Sequence, residues 1–122
     1  MMKTSQENSL RFLTEVYSFL SLPFLEQISK RGILGDGLTE DIAEDCLYSY
    51  LSYFFDVLEE KGKDVNQLRA LAKEISEVFS TKSWGSTSYD DEFWTLQSLN
   101  KSQIWDEQRK RASEMVDILK KM

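Results

Sequence analysis

Apolar residues in this chain form stripes at intervals of three and four, with almost no sustained apolar/polar alternation. Leu68, Leu71, Ala72, Ile75, Val78 and Phe79 give the cleanest case, a single face of an α-helix. Leu10, Leu13, Val16, Tyr17 and Leu20 repeat the period, with Phe12 and Phe19 widening the stripe. A β-strand needs strict alternation, because its side chains point to opposite faces in turn. The fold class is therefore all-α, expected as a single-domain bundle of about five to six helices over residues 1–122. With 41% hydrophobic and 12% aromatic residues, a chain of this length can bury a core without disulfides or a structural metal.

Punctuation places the helix ends. Thr4 and Glu7 form a capping box for a first helix from about Ser5 to Leu20. Pro23 disfavours helical geometry at Leu22, so a kink is expected, after which Ser21 caps a short helix carrying Phe24, Leu25 and Ile28 that ends near Gly32. Gly32, Gly35 and Gly37 mark a flexible turn; it lacks the lysine and the preceding strand of a phosphate-binding loop. Thr39 then caps the longest helix, reaching Glu60 or Lys61 with Gly62 as its stop, on an inner stripe of Ala43, Leu47, Tyr50, Leu51, Phe54 and Leu58. Asp64 and Gln67 start the next helix, and the short link between these two predicts an antiparallel hairpin. Ser80 to Ser88 reads as a loop. Beyond it, Asp90 caps a shorter helix with Phe93, Trp94, Leu96 and Leu99, and Asn100 or Ser102 restarts the pattern for a last helix through Trp105, Ala112, Met115, Val116 and Leu119.

The chain has no histidine, the side chain most used for general acid/base catalysis and the commonest metal ligand, so no Ser/His or Cys/His pair exists. No enzyme activity and no catalytic residues are expected. Cys46 is the only cysteine and reads as a buried thiol. The carboxylates Asp36, Glu40, Asp41, Glu44 and Asp45 do not follow the order of a calcium loop, and acids in a first helical turn suit the macrodipole, so neither metal nor cofactor is expected. With 21 acidic against 15 basic residues, the formal charge is −6. That balance argues against direct nucleic-acid binding and against an anionic membrane surface, and it suits a basic protein partner. Lys101, Arg109, Lys110 and Arg111 are interspersed with Asp106 and Glu107 and read as a solvated helix face. Residues Met1 to Asn8 do not form a signal peptide, no apolar run spans a bilayer, and a cytoplasmic monomer or homodimer is expected.

Two acidic and aromatic constellations are candidate binding surfaces. On one continuous helix, Asp41, Glu44, Asp45, Tyr48, Ser52, Phe55 and Glu59 fall on the flank and back. Tyr48 and Phe55 either pack beneath a neighbouring helix or face water as anchors inside an acidic rim. The second constellation is Trp84, Tyr89, Asp90, Asp91 and Glu92, running into Phe93 and Trp94 and followed by Trp105. Trp94 and Trp105 belong to helical stripes and are assigned to the core, leaving Trp84 and Tyr89 as the exposed hot spot.

Carried by Asp90 to Trp94 and by Asp41 to Phe55, the chain resembles the small acidic helical immunity proteins that bacteria make against their own nuclease toxins. The Tyr-Tyr segment of the helical colicin-nuclease immunity proteins is not found here, so none of their site residues carries over; helical immunity proteins of contact-dependent inhibition systems are closer in size. The resemblance implies one-to-one binding of a basic toxin domain, with acids steering association and aromatics slowing release. The alternatives are an adaptor whose surface holds a peptide or partner helix, and a phage-type inhibitor that occupies a basic cleft.

Overall fold

The structure is a computed structural model that describes residues 6–31, 37–83, 85–87 and 89–122. It is all-α. Its elements are α1 (Gln6–Ser21), α2 (Phe24–Arg31), α3 (Gly37–Asp45), α4 (Tyr48–Glu60), α5 (Asn66–Thr81), a 3-10 turn (Asp91–Trp94), α6 (Leu96–Lys101) and α7 (Gln103–Lys120).

Four helices form the body: α1 packs against α7 and α4, and α5 packs against the same two, which closes a ring. Side-chain pairs fix the directions. Arg69 at the start of α5 bonds Asp56 and Glu59 at the end of α4, while Ser76 Oγ accepts from the Tyr48 amide at the start of α4. Arg109 near the start of α7 donates to the Leu22 carbonyl just past α1, and Phe79 near the end of α5 lies 5.1 Å from Trp105. Phe12 and Phe54 meet across α1 and α4 at 4.5 Å. The result is an up-down-up-down bundle. The α4 to α5 link is short, as the sequence predicts, and α4 ends in a Schellman turn: Lys63 N–H reaches the Leu58 carbonyl, Gly62 N–H reaches Glu59, and Gly62 takes a φ of 86°. The other two connections are long, and both lie at the opposite end of the bundle. One contains α2 and α3, the other the 3-10 turn and α6.

The buried stripes are continuous from Leu13, Tyr17 and Leu20 through Leu51, Phe55 and Leu58 to Leu68, Ala72, Ile75 and Phe79, and onto Trp105, Ala112, Met115 and Leu119. Cys46 is buried, as read from the sequence.

The expected helix from Thr39 to Glu60 is two helices. The chain leaves α-geometry at Cys46 and Leu47, whose amides bond only three residues back, to Ala43 and Glu44. That break rotates everything after it. Tyr50, expected inside, is 59% exposed, and Phe55, expected on the outer flank, is fully buried with its ring 6.0 Å from that of half-buried Tyr48. Thr39 is not a cap but lies within α3, where it is buried and its hydroxyl donates to the Trp94 carbonyl at 2.7 Å. Ser21 ends α1 instead of capping α2, donating to the Ser18 carbonyl. Asp90 caps the 3-10 turn, Thr95 caps α6 and Ser102 caps α7. Thr4, Gly32, Gly35 and Asp36 lie outside the described residues.

Arg109 is also misread as solvated. It is buried among Leu22, Gln27, Leu99 and Asp106, all of which accept from its guanidinium.

Tyr17 presents the opposite case, a buried hydroxyl with no hydrogen-bond partner. Burial first, then the neighbouring Cys46 and Tyr48, push its phenol well above the ordinary value of 10.0. A phenol raised in the folded state stays protonated while the unfolded chain releases its proton near pH 10, so its contribution to stability falls as pH rises above that value. Tyr17→Phe is expected to be neutral or to stabilise by about 1 kcal/mol at pH 7, with the advantage widening above pH 10. Urea melts at pH 7 and pH 10.5 check this; a loss of about 1 kcal/mol at both would mean the hydroxyl is satisfied.

Candidate functional site: an acidic groove between the two long connections

The two long connections converge. At that end of the bundle, α3 and the segment from Tyr89 to Thr95 face each other across a groove of about 570 Å³. Glu40 and Glu44 project from α3, one turn apart, and Tyr89 and Asp91 stand opposite. Ala43, Leu47, Phe79 and Trp94 supply an apolar floor, with Ser83 and Thr95 at its edges.

The floor is held by aromatic packing and by indole hydrogen bonds. Phe93 stacks on Trp105 at 4.7 Å, with the planes 11° apart, and meets Trp94 edge-on at 4.9 Å. Trp105 Nε1 donates to the Phe93 carbonyl, and Trp94 Nε1 donates to the Lys82 carbonyl at 2.6 Å. Phe93 and Trp105 are buried, while Trp94 is half-buried and shows one side to the groove. With the Thr39 hydroxyl on the Trp94 carbonyl, the 3-10 turn is tied to α3 on one side and to α5 and α7 on the other. The groove wall is thus part of the packed interior and not a free loop.

The electrostatics are one-sided. Among the described residues, no Lys or Arg lines the groove, and Glu40, Glu44 and Asp91 make no ion pair. Asp90 turns away toward Lys82, 3.9 Å from its Nζ. The Tyr89 hydroxyl donates to Asp91 Oδ1. That hydrogen bond to Asp91, then desolvation, then the charges of Asp91, Glu40 and Asp90, raise the phenol above its ordinary value, so Tyr89 remains a neutral donor.

Of the residues singled out in the sequence, the structure brings Glu44, Tyr89 and Asp91 together, from constellations about forty positions apart. Asp41 and Asp45 lie on α3 outside the groove lining. Glu92 and Asp90 line a separate depression of about 640 Å³ with Gln97, Ser98 and Lys101. Tyr48 is tied down, its hydroxyl accepting from Arg69 and its ring lying beneath Lys73. Phe55 is in the core and is no anchor. Trp84 lies outside the described residues. Sequence reasoning credited Glu40 only to the helix dipole and Trp94 only to the core, though its place at i−4 to Glu44 puts Glu40 on the same face. It also missed an exposed aromatic ridge, Tyr50 and Tyr53 beside half-buried Phe12 and Phe54, because the break before α4 was not seen.

Among the described residues, no three His, Cys, Asp or Glu side chains are grouped to hold a metal ion, and no helix is long and apolar enough to cross a membrane. Compared with known proteins, the chain matches no family model, no curated protein and no solved structure.

Proposed function

We propose that this protein is a binding inhibitor of a basic protein, in the manner of an immunity protein that neutralises a toxin domain, a nuclease being the basic target such an acidic surface suits best. The observation that carries this reading is the groove itself: three carboxylates without a cation among the described residues, set around an apolar and aromatic floor on a rigid bundle end. Charge of one sign over apolar contact area is the arrangement that speeds association with a partner of opposite charge and then slows its release. Such a role requires binding alone, and no reactive centre.

A second reading, an adaptor that holds a partner helix, draws on the exposed Tyr50 and Tyr53. Salt separates the two. Calorimetry of the purified chain with an inactivated form of the protein encoded immediately upstream is expected to show one-to-one binding that weakens at least tenfold between 50 mM and 500 mM NaCl. Binding that is indifferent to salt would move the interface to the aromatic ridge. Absence of any heat, with no shift in sedimentation, would overturn the inhibitor reading.

A further inference from the structure

We propose that the groove between α3 and the 3-10 turn is a receptor for one arginine side chain of the partner protein. This rests on the inhibitor reading above and adds the chemistry of the anchor. The lining separates into two kinds of surface. Glu40 and Glu44 on one wall and Asp91 on the other offer negative oxygens, while Ala43, Leu47, Phe79 and Trp94 between them offer apolar and aromatic contact. A side chain that satisfies both must carry a positive, multiply donating head on an apolar stem. Lysine and arginine qualify; the geometry favours arginine. A guanidinium is planar, weakly hydrated, stacks on indole and phenol faces, and forks its donors between carboxylates, whereas an ammonium is a compact and strongly hydrated point charge that gains little from an aromatic floor. Asp91 is pre-oriented for such a fork, since the Tyr89 hydroxyl occupies Oδ1 and Oδ2 has no partner among the described residues.

Local energetics point the same way. Glu40 and Glu44 sit one turn apart on the same helix face, an arrangement of like charges that opposes helix formation. Glu44 occupies the last turn of α3, where the helix dipole disfavours an acid, and the helix contains no Lys or Arg at all. These choices run against the stability of α3 and are relieved by an incoming cation, as expected where a sequence serves a ligand at the expense of its fold.

The test is an NMR titration of the 15N-labelled full chain with three capped peptides, acetyl-Gly-Gly-X-Gly-amide, where X is arginine, lysine or citrulline. The expected result is saturable shifts at the Trp94 indole N–H and at the amides of Glu44, Leu47, Tyr89 and Asp91. The arginine peptide should bind at least threefold more tightly than the lysine peptide, and citrulline, which keeps the shape and loses the charge, should leave the spectrum unchanged. In Glu44→Gln with Asp91→Asn, arginine binding should fall at least tenfold while the spectrum stays dispersed. Equal binding of arginine and lysine, shifts scattered over the outer faces of α5 and α7, or no shift with arginine would each overturn the arginine receptor. None of these touches the salt-dependent calorimetry with the whole partner. Conversely, a silent calorimetric titration beside a seated arginine peptide would remove the inhibitor reading and support the receptor.

Discussion

Arg109→Ala is expected to destabilise the protein by about 3–5 kcal/mol, because it strands several buried hydrogen-bond acceptors at about 1–3 kcal/mol each. The reason lies in what the guanidinium leaves behind. Its Nε serves the Leu22 carbonyl at 3.1 Å, one terminal nitrogen serves Asp106 at 2.9 Å, and the other serves both Gln27 Oε1 at 2.9 Å and the Leu99 carbonyl at 2.6 Å. Leu22 and Leu99 carry the open carbonyls at the ends of α1 and α6, which have no amide of their own helix to accept from. Gln27, fully buried on α2, donates its amide to the Phe19 and Leu20 carbonyls. One side chain thus stitches the Pro23 kink to α6 and α7, and burial lowers its pKa from the ordinary arginine value without threatening its charge. Truncation strands several acceptors, each costing about 1–3 kcal/mol if water does not replace the donor. Thermal melts should show a drop on the order of 10–20 °C. Arg109→Lys is the informative companion, since it keeps the charge but can serve fewer of the four acceptors, and should recover only part of the loss. A cost under about 1 kcal/mol for Arg109→Ala would mean that solvent, and not Arg109, satisfies this junction.

The position of Arg109 was legible in the sequence and was discounted on chemistry. It lies four residues after Trp105 and three before Ala112, in phase with the buried stripe of α7. Its neighbours Asp106, Lys110 and Arg111 made the segment look solvated, and periodicity read from apolar residues alone cannot see a buried arginine whose partners include a backbone carbonyl 87 residues away. A similar limit explains the break at Cys46 and Leu47. No proline or glycine stands there, and the apolar spacing continues through it, so one-dimensional pattern gave one helix where tertiary packing makes two. Losing three- to fourfold turn geometry for two residues is enough to exchange Tyr50 for Phe55 in the core, because each residue carries 100° of rotation. By contrast, the α4 to α5 hairpin, the start of α7 and the buried Trp105 depend on local signals: the sequence predicts the hairpin and the buried Trp105, and of the two starts it offers for the last helix, Asn100 and Ser102, the structure uses Ser102. The acidic groove was half legible. Its charges and aromatics were visible as two separate clusters; their meeting depends on the two long connections lying at one end of the bundle, which local pattern does not encode.

That meeting makes the strongest functional prediction a paired one. Glu44→Lys with Asp91→Lys reverses one carboxylate on each wall of the groove and is expected to weaken binding of a basic partner by about 10²–10³-fold, that is, about 3–4 kcal/mol, the scale of close interfacial charge pairs. Folding should not suffer. Both residues are exposed and make no ion pair among the described residues, and such surface substitutions ordinarily change stability by about 0.5 kcal/mol or less. Glu44→Lys should even favour α3 slightly, because it replaces a like-charge neighbour of Glu40 with an opposite one and places a cation in the last turn. The control is Glu107→Lys with Asp117→Lys, two exposed acids on α7, which changes the net charge by the same amount. Long-range steering responds to net charge and would slow association in both pairs alike; contact within the groove would raise the dissociation rate only in the first. Surface plasmon resonance against the partner at 150 mM NaCl, beside thermal melts, separates these effects. If the control pair weakens binding as much as the groove pair, the acidic surface acts only as a diffuse field, and the groove is not the place where the partner docks.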